Sequence, residues 1–260
     1  EEIRARAVEL LFDAADEAGR LFAMDRAMER VTTGLDLAEG PIERSRGLEA
    51  LSRLALWRGD GDEAWRAARE AVDLRMAAPG PIDRRGVARL CGHLLAMPTR
   101  WPGLLRMLPT REEAEPYLEL GLSMLDPGDS EERIGLLMAR GAWGWGFAQA
   151  DRDPARVEEY RAAADEAIAS ARRLGRVDLL SAALDTAGAS GQEIGGYALA
   201  NEYQLQRLEL VPQLDDPSEV ADIVGTLAWH YVHIGEYRKA IELEPTVFAQ
   251  RMDPAIPLLS

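Results

Sequence analysis

The sequence predicts an all-α protein, an α-solenoid of stacked antiparallel helical hairpins with no sheet. Three observations predict it. Apolar residues recur at helical spacing along most of the chain, as at Leu48, Leu51, Leu54 and Ala55. Glycine and proline turns interrupt that pattern at intervals of about 40 residues, the period of helix-pair repeats. Strong helix formers (Ala, Leu, Arg, Glu) dominate, β-branched residues are sparse, and no segment sustains period-two alternation. A single helix pair cannot bury its outer faces, so each pair requires neighbours of the same kind.

The first pair is expected from about Ile3 to Ala18 and Leu21 to Glu39, separated by Gly19 and closed by Gly40-Pro41, a helix stop followed by a start. The second spans Arg46 to Met76 and divides at Gly59-Asp60-Gly61. Its second helix presents Ala64, Ala68, Ala71 and Val72, small side chains that let two backbones approach closely. Pro79-Gly80-Pro81 closes it. A third, less regular pair starts with Ile82 to Met97, is interrupted by Pro98 to Gly103, and resumes after Pro109 with Thr110 as N-cap, running to about Leu125. The stretch 98–110 is where the stack is expected to bend or carry a functional loop. After Asp126-Pro127-Gly128-Asp129 a fourth pair covers Ser130 to Gln149 and Pro154 to Leu174, with Asp153 capping the second helix. The fifth covers Val177 to Ser190 and Tyr197 to Val211, divided by Gly191 and Gly195-Gly196. The sixth covers Ser218 to Ile234 and Tyr237 to Gln250. The sum is about twelve helices in about six hairpins, a right-handed stack read as one domain over residues 1–260.

Two pairs carry a more specific signature. Gly235-Glu236-Tyr237-Arg238-Lys239-Ala240, with Leu227, Ala228 and Tyr231 before it, resembles the tetratricopeptide repeat (TPR) around its turn. Leu48, Leu51, Ser52, Gly59, Ala64 and Ala71 match the same template, with Ala55 at its Tyr position and Met76 at its closing Pro. Ala169 to Gly188 is similar to the degenerate repeats of large bacterial regulators: LuxR-type and SARP-type transcription activators and multidomain adenylate/guanylate cyclases. The resemblance implies a regulatory or protein-interaction segment, with any catalytic or DNA-binding module elsewhere. It also implies groove-lining positions: Arg46, Glu49, Arg53, Leu56 and Trp57 in the second pair, and Asp222, Gly225, Trp229, Val232 and His233 in the sixth.

Charge narrows the partners. The net charge of −15 and pI near 4.7 argue against non-specific binding to nucleic acid or anionic lipid, which needs a basic field, and no Lys/Arg run is visible. Cys91 is the single cysteine and sits in an apolar helical run, as a buried, inert thiol would. There is no signal peptide and no membrane-length apolar run, so a cytoplasmic location is expected. The start at Glu1-Glu2-Ile3 and the stop at Pro257-Leu258-Leu259-Ser260 suggest a piece of a longer protein.

No arrangement of Ser/His/Asp or Cys/His suits nucleophilic work, and no metal or cofactor is expected. His230, His233 and Glu236 have near-helical spacing, but the Gly235 turn breaks it, so structural or groove-lining histidines are the expectation. Asp215 to Glu219 reads as a helix start, and Gly191 to Gly196 as a hairpin turn. The run Gly141 to Phe147 (GAWGWGF) is the least ordinary. Glycines inside a helix cost roughly 1 kcal/mol each relative to Ala, so close helix contact, or room for a ligand beside Trp143 or Trp145, has to offset them.

The expected function is a non-catalytic regulatory scaffold that binds a protein or peptide, including another domain of the same polypeptide, in a concave groove. A small-molecule effector sensor with its pocket near Trp143, Trp145 and Trp101 is the alternative, and an enzyme with an unfamiliar helical site ranks third. The apolar final hairpin (Ile241, Leu243, Val247, Phe248) and the uncharged tail Ala255 to Leu259 suggest that the tail folds back or that a homodimer covers the end.

Overall fold

In the computed structural model, which describes residues 1–144 and 154–243, every regular element is helical and no strand occurs among the described residues. The chain divides into two units, Glu1–Asp126 and Pro127–Ser260. In the first, α1 (Glu2–Arg20), α2 (Met24–Leu37), α3 (Pro41–Trp57), α4 (Gly61–Ala77), α5 (Arg84–Arg100) and α6 (Arg111–Ser123) form three hairpins. Each helix packs chiefly on its neighbours in sequence, the signature of a repeat stack.

Local chemistry sets these ends. Pro41 opens α3 at a position whose N–H needs no partner. Gly59 turns the chain at φ 78°, and the Asp60 side chain then accepts from the Glu63 amide at 3.1 Å to cap α4. Thr110 caps α6 as its position predicts, in a reciprocal capping box with Glu113. Two serines fix the register of the second hairpin. Ser45 donates to the Ala71 carbonyl and Ser52 to the Ala64 carbonyl, both at 2.8 Å. The serines are seven residues apart on α3 and the acceptors seven apart on α4, running in opposite directions. Ala64, Ala67, Ala68 and Ala71 are fully buried between the two helices, as close approach requires.

One expected boundary moves. The helix expected to stop at Met97 continues through Pro98 to Arg100. Pro98 falls in the last turn, so its missing N–H costs one bond only. The Thr99 hydroxyl donates to the Leu95 carbonyl at 2.6 Å, and the Trp101 amide closes on Met97 at 3.0 Å. A 3-10 turn, Pro102–Leu104, then leads toward α6. Cys91 is fully buried, and burial pushes its thiol up to about 12.

The second unit contains α7 (Glu131–Gly141), α8 (Pro154–Leu174), α9 (Val177–Leu210), a 3-10 turn at Val211–Gln213 and α10 (Pro217–His233). Gly235 turns at φ 83°, and residues 237–243 are helical. Ser130 caps α7. That helix ends at Gly141, the chain turns at Ala142, and Trp143 and Gly144 are again helical; the rest of the expected span, 145–149, lies outside the described residues. Gly141 permits close contact: an added Cβ would lie 2.9 Å from Ala164 Cβ on α8. Gly191 does not break the fifth pair. It is buried, with an added Cβ 3.5 Å from the Ala200 nitrogen, and the chain bends only at Gly196 (φ 69°, ψ −168°). Trp145, Asp153, Val247, Phe248 and the tail 254–260 lie outside the described residues.

Among the described residues of this unit, Arg207 is the most buried charge, at 0% exposure. It donates to Asp185 at 2.6 Å, Glu219 at 2.9 Å, Asp222 at 2.6 Å and the Gln204 side-chain Oε1 at 2.8 Å, tying the two halves of α9 to α10. Burial lowers its pKa, but the charges of Asp185, Asp222 and Glu219 outweigh that, and the net shift is upward. Arg207→Met would leave three carboxylates crowded together without their cation. It is expected to cost roughly 3–5 kcal/mol in urea unfolding at pH 7, less near pH 4, where carboxylates take up protons. An equal loss at both pH values would contradict the electrostatic explanation.

Candidate functional site

The first helices of the first two hairpins carry complementary charges. On α1, Glu9, Asp13 and Asp16 form an acidic stripe at helical spacing; on α3, Arg46 and Arg53 stand two turns apart with Glu49 between them. These faces, with Arg75 from α4, Asp83 from the loop and Arg89 from α5, line a cavity of about 280 Å³ inside the first unit, floored by Phe12 and Ala50.

Glu49 is its centre. The residue is only 6% exposed, yet three arginines from three helices reach it: Arg53 at 3.1 Å, Arg75 at 3.4 Å, and Arg89. Burial pushes the carboxyl pKa up, but the hydrogen bond from Arg89 and the charges of Arg89, Arg53 and Arg75 outweigh that and hold it below the usual range. Each of two arginines has a second acid, since Arg53 donates to Asp16 at 2.7 Å and Arg75 to Asp83 at 3.4 Å. Arg46 differs. It is 46% exposed and stands 3.9 Å from Asp13 and 4.0 Å from Glu9, at ion-pair range and beyond hydrogen-bond range. The lining thus offers four guanidinium and four carboxylate groups in alternation, with little net field.

Ser52 and His93 stand beside this network, 2.9 Å apart. The Ser52 hydroxyl spends its one hydrogen on the Ala64 carbonyl, so His93 donates through Nε2 and is not placed to deprotonate the serine. Burial, then the Arg53 charge, push His93 down to about 4 against the partial opposition of Glu49. Among the described residues no cluster of His, Cys, Asp or Glu is arranged to hold a metal ion.

The structure places Arg46, Glu49 and Arg53 together on this cavity. Leu56 is instead buried in the core with Ala55, Ala64, Leu94 and Met97, a correction to its groove-lining assignment. Leu56 stands about 60° around α3 from Arg53, and near the end of the helix it packs with Leu94 and Met97 of α5. Trp57 is 43% exposed and rests on Gly19, outside the cavity lining. Trp101 is half-buried against the core of the first unit, with the Arg100 guanidinium 5.3 Å from its ring centroid, and Trp143 is buried in the second unit. On α10, Asp222, Gly225, Trp229, Val232 and His233 share one exposed face, and His230 is buried beneath it. Asp13, Asp16, Arg75, Asp83 and Arg89 were missed. The acidic stripe of α1 facing the basic positions of α3 is the signal that could have found the first two.

The linkage of His93 fixes a pH dependence. Above about pH 6.5 the imidazole is neutral in both states. Below it, the unfolded chain binds a proton that the folded protein refuses until about pH 4. Stability therefore falls as pH drops through this window, by up to roughly 1.4 kcal/mol per pH unit from this group. His93→Gln keeps a donor for Ser52 and is expected to remove that share of the slope; parallel urea-midpoint curves for the two proteins between pH 6.5 and 4.5 would contradict the assignment.

No family model matches the chain, and no curated protein matches it. Solved structures do. One is a Rap protein complexed with Competence and Sporulation Factor, 14% identical at a TM-score of 0.58, covering 93% of this chain and 75% of that one. Another is BtubC (BKLC) from P. vanneervenii, 15% identical at a TM-score of 0.51, covering 96% of this chain and 94% of that one. These likenesses establish the fold, an all-α TPR-like helical repeat.

Proposed function

We propose that the chain is a non-catalytic helical-repeat scaffold that binds a protein or peptide segment at the cavity around Arg46, Glu49 and Arg53. The observation that carries this is the alternation of guanidinium donors and carboxylate acceptors on a concave wall. A peptide main chain alternates C=O acceptors and N–H donors and carries no net charge, so it matches such a wall. A polyanion or polycation would gain from half of the groups and be repelled by the rest. At about 280 Å³ the cavity holds a few residues of a chain and is small for a nucleotide cofactor. Arg46 and Asp13, loosely paired at 3.9 Å, can exchange that contact for a peptide unit at little cost. The Rap neighbour is complexed with Competence and Sporulation Factor, which adds support for a binding scaffold by analogy of fold. A role inside a bacterial signalling or transcription regulator rests on the similarity of Ala169 to Gly188 to regulator repeats.

Selection of binders from a displayed random nonapeptide library tests this. The peptides recovered are expected to lose about tenfold in affinity, or about 1.4 kcal/mol, on Arg46→Ala and on Asp13→Asn, with helical circular dichroism unchanged. Peptides that bind all three proteins equally would place recognition elsewhere, and failure to recover any binder would count against the scaffold role.

A further inference from the structure

A second surface, on the other unit, has chemistry of its own. The exposed face of α10 begins at Asp222, passes Gly225 and reaches Trp229, Val232 and His233. Trp229 is 56% exposed, unusual for so large an apolar side chain. It is held in place: the His233 ring lies 4.1 Å from it, centroid to centroid, and stacks in turn on Tyr197 of α9 at 4.3 Å. His233 is itself fixed, donating from Nδ1 to the Trp229 carbonyl at 2.8 Å. The result is a rigid aromatic ridge that faces solvent, with little rotamer entropy left to lose on binding.

Beside the ridge is a notch. Gly225 lies between Asp222 and Trp229 on the same face, and an added Cβ there would meet nothing within 4 Å. Neither close packing nor a positive φ calls for glycine at this position, and an exposed helical glycine costs roughly 1 kcal/mol against alanine. At the far side of the notch the Asp222 carboxylate is 43% exposed. It already accepts from Arg207, which Asp185 and Glu219 also share, so three carboxylates gather on one cation. An ionised carboxylate accepts several hydrogen bonds at once, so the Arg207 contact does not bar a second guanidinium. The net charge of −15 favours a cationic visitor as well.

We propose that this face of α10 docks a partner segment through an arginine, its guanidinium lying on the Trp229 ring and bonding Asp222 while its backbone approaches at Gly225. Arginine fits better than lysine, because its planar group stacks on indole and pairs with carboxylate at the same time. The inference assumes the scaffold role but not the cavity, and each can fail without the other.

The minimal probe is acetyl-arginine-N-methylamide, titrated at millimolar concentration against the 15N-labelled protein while the Trp indole N–H resonances are followed, with the Trp229 signal assigned from Trp229→Phe. The Trp229 signal is expected to shift to saturation while the other indoles stay put. The lysine analogue should bind severalfold more weakly, and the uncharged citrulline analogue should leave the signal unmoved. Gly225→Leu fills the notch without touching Arg207 and should abolish the shift; Asp222→Asn should weaken it severalfold; Arg46→Ala, which impairs the cavity, should leave it unchanged. Equal movement of all indoles, equal response to citrulline, or a full response in Gly225→Leu would overturn the assignment.

Discussion

A charge can stay inside a protein only if opposite charges stay with it, and in both units that requirement decides which helices meet. Desolvating an ion is costly, and removing one partner of a buried pair typically destabilises by about 3–5 kcal/mol. In the first unit the buried ion is the Glu49 carboxylate, reached by arginines from α3, α4 and α5. In the second it is the Arg207 guanidinium, reached by carboxylates from α9 and α10. The signs are inverted and the logic is the same. Alanine-rich interfaces such as Ala64, Ala68 and Ala71 allow close approach but specify register weakly, since one small residue resembles the next. A single ion with several fixed partners discriminates among registers far better.

The same network shapes the candidate site. Because Glu49 needs Arg53, Arg75 and Arg89, and two of those draw in Asp16 and Asp83, the cavity wall carries alternating charges. That wall is rigid where the groups are mutually bonded and adaptable at Arg46 and Asp13, where the pair is loose and exposed. The division of labour suits a scaffold: fixed groups hold the shape, and a loosely held pair is available to a visitor.

The hairpin plan was legible because its determinants are local. The apolar period marks each helix, Thr110 with Glu113 marks a start, and Gly59 and Gly235 supply the left-handed turns. Errors arose where a local signal met a tertiary one. Pro98 reads as a stop, but a hydroxyl from Thr99 satisfies a carbonyl beside it and the helix runs on. Gly191 reads as a break, yet it stays helical and buried beside Ala200, and within α9 Gly196 takes the positive φ. The site was half legible. Repeat position placed Arg46, Glu49 and Arg53 on one face, but it misassigned Leu56 and said nothing of Arg75 and Arg89. Arginines on different helices look like ordinary solvated charges until the stack brings them together.

The claim that Glu49 is held by its arginines as a coupled unit is open to direct measurement by a double-mutant cycle between Glu49 and Arg75, using Glu49→Gln, Arg75→Met and the double variant in urea unfolding at pH 7. The two side chains are buried and in contact at 3.4 Å. The account predicts strong non-additivity, with each single variant costing roughly 3 kcal/mol and the double variant little more than either, a coupling of about 2–3 kcal/mol. Additive losses, with a coupling below about 0.5 kcal/mol, would mean that Glu49 and Arg75 merely share a space, and would contradict it.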